Sequence, residues 1–248
     1  MALTQPTESK TLARIVTEDF RATQVFEKYG LDYYCKGKRQ LIQACLEMQI
    51  PVTHVVNELD LISVETNHSN RFKDWSIEFL AEYIVQQHHS YVRTKIPLIQ
   101  GQLQKVVNAQ TEKSSAISEI QDYFGELSAI LLHHLLEEEA TIFPLIKVIV
   151  LTREFNMCEE FLEKDLEVHA AKEDFEHKVI VNLLETIQKW TNNYNPVQGA
   201  SSTLISLYKE LRAFQEDMFH HIHLENNILF PRVLDDFDQG NRYLISNN

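Results

Sequence analysis

HLLEEEATIFPL (134–145) and HIHLENNILFPR (221–232) are two copies of one pattern, H-x3-E-x4-F-P, starting 87 residues apart. Residues four apart on a helix lie one above the other on the same face. His134 with Glu138, and His221 with Glu225, therefore each present an imidazole and a carboxylate to one point in space. Around the second copy, Leu204, Leu207, Leu211, Phe214, Met218, His221, Glu225 and Ile228 recur at intervals of three and four. Around the first, the same stripe runs Leu127, Leu131, His134, Glu138, Ile142 and Leu145. Both polar pairs sit inside an apolar stripe, where a helix turns its face to a core.

Neighbouring residues do not repeat this register. His133 has Glu137 four residues on, but the second copy has Leu224 at the matching place, and His223 is followed by Asn227. Upstream of each copy is a further helical pattern with one histidine on its stripe. Ala81, Val85, His89, Val92 and Ile96 make one; Phe155, Leu162, Leu166, His169, Ile180 and Leu183 make the other. Each half is thus a helix with one histidine followed by a helix with a His/Glu pair. Two such hairpins pack as an antiparallel four-helix bundle.

A buried glutamate is costly unless it is paired or coordinates a metal. A lone core histidine is most often a satisfied structural residue, and a single H-x3-E is most often a surface ion pair. Two matched pairs with an inward histidine on each remaining helix point instead to a dinuclear centre held by His89, His134, Glu138, His169, His221 and Glu225. Four nitrogens and two bidentate carboxylates supply four donors to each of two cations. A position at each remains for a bridging oxygen, a water or a small gas. Imidazole and carboxylate without thiolate suit iron, with manganese and zinc also compatible. Glu173, one turn after His169, is either an extra carboxylate near the metals or a partner at their rim. Tyr91 and Tyr123 are not placed by the sequence.

The rest of the composition agrees with a helical protein. Six glycines and six prolines in 248 residues are too few for the many tight turns of a β-sandwich or barrel. A formal charge of −13 argues against nucleic acid or an anionic membrane surface as partner. Cys35, Cys45 and Cys158 make no disulfide framework, and a reducing, cytoplasmic setting is expected. The opening MALTQPTESK lacks the apolar run of a secretory signal, and IFPLIKVIVL (142–151) is too short to span a bilayer.

Long helices are expected at about 75–108, 114–150, 154–192 and 200–234, with a kink near Pro97 and a break near Pro144. Residues 1–65 read as a separate small helical module, and 75–236 as the bundle. In the module, helices are expected at 18–29, ended by Gly30, at 39–48, and from Pro51 onward, with LDYYCKGK (31–38) as a loop. Cys45 and Cys158 read as packing residues.

These motifs resemble the Repair of Iron Centers family, the di-iron iron-sulfur cluster repair proteins with a hemerythrin-like domain. HIHLENNILFPRVL (221–234) is similar to the family signature H-x-x-L-E-N-N-x-L-F-P-R, and FEKYGLDYYCKGK (26–38) to its N-terminal F-x-K-Y-x-x-D-Y-C-C-x-G-K. The resemblance implies an all-α fold, a hemerythrin-like four-helix bundle preceded by a small helical domain. It implies two non-haem iron ions bridged by Glu138, Glu225 and an oxygen. It also implies repair of clusters damaged by nitrosative or oxidative stress through iron donation. Nitric oxide reduction, or oxygen carriage and sensing, are the alternatives. The partners implied are damaged iron-sulfur proteins, nitric oxide and oxygen, with a homodimer plausible. One departure is Tyr34 where some members have a second cysteine. Cys35 is then either a single reactive thiol, favoured by Lys36 and Lys38, or an unreactive loop cysteine.

Overall fold

The computed structural model describes residues 6–64, 72–109, 115–155 and 160–234. Among them the fold is all-α, and β pairing is limited to an isolated bridge between Thr11 and Gln40. The chain divides into two compact units: Met1–Leu80 with Ile222–Asn248, and Ala81–His221.

In the first unit, four short helices follow one another: α1 (Leu12–Glu18), α2 (Ala22–Tyr29), α3 (Leu41–Glu47) and α4 (Val52–Val64). The helix expected at 18–29 begins at Ala22, and a separate helix, α1, precedes it and is ended at Asp19 by an extended backbone. Gly30 ends α2 at φ 66°, a left-handed position that glycine adopts without steric cost. The N–H groups of Leu12, Ala13 and Leu41 donate to the carbonyls of Arg39, Gly37 and Lys10, so the 31–40 segment is tied back onto the start of α1. Leu12, Phe26, Tyr33, Leu41, Cys45 and Val55 fill the core between these helices.

In the second unit, α6 (Ser90–Ala109), α7 (Ser115–Glu137), α9 (Glu160–Trp190) and α10 (Ser202–Leu224, to His221 here) run antiparallel to their neighbours. Side-chain pairs fix the register. Along α6 and α7, Gln104 meets Gln121 at one end while His89, just before α6, meets Glu139, just after α7, at the other. Along α7 and α9, His134 meets Glu176, and Glu137 meets Lys172. Lys95 reaches Glu210, and His88 reaches Asp217. Leu103, Ile120, Phe124, Leu127, Leu131, Ile180, Leu207 and Phe214 are buried between the helices. Two further helices, α5 (Ile77–Tyr83) and α8 (Phe143–Glu154), extend α6 and α7.

Three helical joints widen into π turns, at Ile84–His89, Glu138–Ile142 and Glu225–Leu229. The break expected near Pro144 takes this form: the helix accommodates one extra residue, and Pro144 stands at the start of α8. Pro231 follows the third π turn in the same way. Proline lacks the N–H that would close an ordinary turn just before it, and a π turn redistributes those bonds. Pro97 lies inside α6. Cys158 falls outside the described residues.

Candidate metal centre

Each π turn carries a polar residue of the bundle core at its edge. His89 closes the first, Glu138 opens the second and Glu225 opens the third. Single π turns inside α-helices occur frequently at functional sites, because the extra residue re-aims a side chain. His134 and His221 come from the regular turns of α7 and α10, one turn before their glutamates. α9 supplies its histidine from an uninterrupted helix.

That histidine is His177. It is fully buried, whereas the His169 side chain is 21% exposed and faces Asp165 on its own helix, Nε2 to Oδ1 3.9 Å. The expectation for His169 is corrected on this point. Periodicity selects a face of a helix but not a height along it, and both histidines lie toward the same side of α9. His177 stands eight residues further on, about 12 Å at 1.5 Å per residue. The α7–α9 register places that level, and not that of His169, opposite His134. A signal was present in the repeat: His177 precedes His221 by 44 residues, close to the 45 between His89 and His134.

The six side chains form two groups of four. His89, Glu138, His221 and Glu225 make one; His134, Glu138, His177 and Glu225 make the other. Within each, ligand atoms lie within 4.8 Å of one another, and all six residues are 0% exposed. Both carboxylates belong to both groups. Glu138 turns its two oxygens in different directions, Oε2 3.4 Å from His89 Nε2 and Oε1 3.6 Å from His134 Nε2. The Nε2 atoms of His134 and His177 face each other at 3.2 Å.

The far nitrogens of His89 and His134 are anchored outside the cluster. His89 Nδ1 donates to Glu139 Oε1 at 2.7 Å, and Arg93 donates to the same oxygen at 2.7 Å. His134 Nδ1 lies 3.1 Å from Glu176 Oε2 and 3.0 Å from Glu173 Oε2. A carboxylate only accepts, so the proton of each ring sits on Nδ1 and the Nε2 lone pair faces inward, as a metal ligand requires. Burial disfavours charge on His134, but Glu138, Glu173 and Glu176 outweigh it and hold its pKa well above the ordinary histidine value, and a cation bound at Nε2 would take the place of that second proton. The bond from His134 holds the Glu176 carboxyl down at about 2, against its partial burial. Burial would raise Glu139, yet Arg93 and His89 hold it below the usual carboxylate range.

Two imidazoles and two shared carboxylates on each side, all dry, is a donor set that fits a pair of divalent cations. The hemerythrin HHE cation-binding domain profile matches residues 80–233, more than half of the chain, and includes all six. The chain belongs to the hemerythrin HHE cation-binding family. Its hemerythrin-type domain is preceded by a match, at residues 8–63, to the domain of unknown function DUF542. The chain is similar to the iron-sulfur cluster repair protein YtfE of Yersinia pestis (strain Pestoides F). The identity is 28% over 221 residues, spanning 86% of this chain and 91% of that protein. The YtfE of Yersinia pseudotuberculosis serotype IB (strain PB1/+) matches at the same identity and coverage.

Around this hemerythrin-type centre, Glu139 and Glu176 carry no signal in the sequence pattern, and Glu173, an extra carboxylate or a rim partner by its spacing, stands behind His134. His133 is a surface residue facing Glu137, as its lack of a counterpart in the second copy indicated. Tyr91 stacks on Phe214, with ring centroids 6.4 Å apart, and Tyr123 is half-buried.

The cysteine loop belongs to the first unit. Cys35 is half-buried, and its N–H donates to Asp32 Oδ1 at 2.9 Å. The Lys36 ammonium, expected to favour the thiolate, lies 3.7 Å from Asp32 Oδ2. Cys45 is buried, and burial pushes its thiol pKa up. No described helix is long and apolar enough to cross a membrane.

Proposed function

We propose that this chain repairs iron-sulfur clusters damaged by nitrosative or oxidative stress, donating iron from a di-iron centre. The observation that carries the reading is the pair of fully buried four-residue groups sharing Glu138 and Glu225. The similarity to YtfE, an iron-sulfur cluster repair protein, supports it.

His89 and His221 would hold one iron, His134 and His177 the other, and the two glutamates would bridge them. Iron bound there supplies a redox-active Lewis acid with positions left for an oxygen bridge or a diatomic gas such as nitric oxide. The protein's own part is to hold the ligands in a dry core. Glu139 and Glu176 fix two of the imidazoles by their Nδ1 protons, so those Nε2 atoms stay available. Four neutral imidazoles and two carboxylates would set only a modest negative charge around two irons, which would favour release to an acceptor. The proposed setting is the cytoplasm, where damaged cluster proteins are the partners.

The test is metal content followed by repair. Anaerobically reconstituted protein should hold about two irons per chain and restore activity to nitric-oxide-damaged aconitase. His89→Ala and His221→Ala should lose repair. Retained repair by a variant that holds no iron would refute iron donation.

A further inference from the structure

The two halves of the centre differ in what stands behind them. On the His89 side, Glu139 is part-exposed, and its Oε1 is shared between His89 and the Arg93 guanidinium. Its negative charge is largely compensated before it reaches the ring. On the His134 side, Glu176 is likewise part-exposed and lies 3.5 Å from Lys172. Glu173 is different. It is 0% exposed, and its Oε2 lies 3.0 Å from His134 Nδ1 and 4.0 Å from His177 Nε2. Among the described residues no lysine or arginine pairs with it, so the two histidines of one group are its charge partners. Glu173 is in neither of the four-residue groups that share Glu138 and Glu225.

The His134 Nδ1 proton goes to Glu176, and neither oxygen of Glu173 has a hydrogen-bond partner. A buried carboxylate beside a ligand imidazole still attracts a cation through a medium that screens charge poorly. That attraction falls on the His134–His177 position. We propose that Glu173 is a positioning residue that makes the two metal positions unequal. The cation held by His134 and His177 is the retained one, and the cation held by His89 and His221 is the one given up first. This deepens the iron-donation reading and rests on it: it assigns the exchangeable iron to one side of the bundle.

Carboxylates standing behind ligand histidines are typically worth about 10–100-fold in metal affinity. The experiment is an anaerobic titration of metal-free protein with cobalt(II), read by visible absorption and checked by equilibrium dialysis. Wild type should bind about two cobalt ions in two separable steps. His89→Ala leaves the His134–His177 position, and His177→Ala leaves the other. Glu173→Gln should weaken cobalt binding about 10–100-fold in the His89→Ala background and less than about threefold in the His177→Ala background. Glu173→Asp, which keeps the charge, should give an intermediate loss and covers the case in which the glutamine variant folds poorly. Circular dichroism on each metal-free variant verifies the fold. Equal losses in both backgrounds, or none in either, overturn the proposal. If wild type takes up one cobalt or none, the dinuclear reading itself fails and the inequality falls with it. Two ions bound with unchanged affinities after Glu173→Gln would sink the inequality alone.

Discussion

The side-chain amide of Asn227 donates to the carbonyl oxygen of Tyr34 at 2.9 Å, and the same nitrogen lies 3.1 Å from the carbonyl of Tyr33. Asn227 is inside the π turn that Glu225 opens, and Tyr34 immediately precedes Cys35. The loop carrying the cysteine is therefore pinned to the helical segment carrying Glu225. Tyr33 also meets the buried His223 edge to face, with ring centroids 5.6 Å apart.

Asn227→Ala removes both bonds, each worth roughly 0.5–1.5 kcal/mol. Local opening of the 31–38 loop should rise about tenfold, the factor that corresponds to ~1.4 kcal/mol. In a Cys158→Ser background, iodoacetamide should label Cys35 faster by that factor, while buried Cys45 remains slow. An unchanged Cys35 rate would mean that Asn227 does not hold the loop.

Gly37 is pressed against the same residue. A Cβ there would lie 2.6 Å from the Tyr33 carbonyl and 2.8 Å from Ala13 Cβ, and closer still to Asn227 Oδ1. Gly37→Ala should cost about 1–3 kcal/mol, as overpacking does. A thermal melt would read this as a lower Tm, whereas Gly101→Ala, with open space around the added carbon, should not lower it.

His169 and His177 separate the two readings of α9. His169→Ala should keep about two irons per chain after reconstitution, because its ring faces Asp165 at the surface. His177→Ala should keep about one. Metal analysis by mass spectrometry decides, and loss of iron in the His169 variant would restore it as a ligand.

Glu138→Gln removes a carboxylate that is 0% exposed. Without metal, a buried charge works against folding. The chelated variant should melt about 2–4 °C higher than chelated wild type, the shift that ~1 kcal/mol gives in a chain of this size. The gain in Tm on adding iron(II) should shrink, because stabilisation by a ligand falls with its affinity. Differential scanning calorimetry with and without metal tests both signs.

Glu18 supplies a pH signature in the first unit. Its partial burial would raise the carboxyl, but Lys10 at 2.6 Å and Arg14 at 2.9 Å outweigh that and hold it below the ordinary value of 4.5. A depressed folded-state pKa stabilises the folded chain above 4.5, and this contribution is lost as pH falls through the folded value. The group is partly exposed, so the effect should stay within about 1 kcal/mol. Glu18→Gln should flatten the dependence of Tm on pH between about 5 and 3. A slope identical to wild type would remove Glu18 from the account.

The helical architecture was legible in one dimension because helix periodicity is a local property. The stripe through Leu127, Leu131, His134 and Glu138 marks a buried face wherever the helix packs. The scarcity of glycine and proline leaves few places for turns. Pro144 also marked a break in its helix, since proline removes a donor from the turn before it.

The sequence by itself determined the helices, the buried faces, and His134, Glu138, His221 and Glu225, because each His/Glu pair lies on one helix with a fixed rise and rotation. Only the tertiary structure decided which histidine of α9 reaches the centre, because height along a helix is set by its register against a neighbour. His177 meets His134 through contacts 43 residues apart in the chain. The same reason hides the carboxylates that stand behind the ligands: Glu139 and Glu173 acquire their partners on other helices, and no local spacing records that.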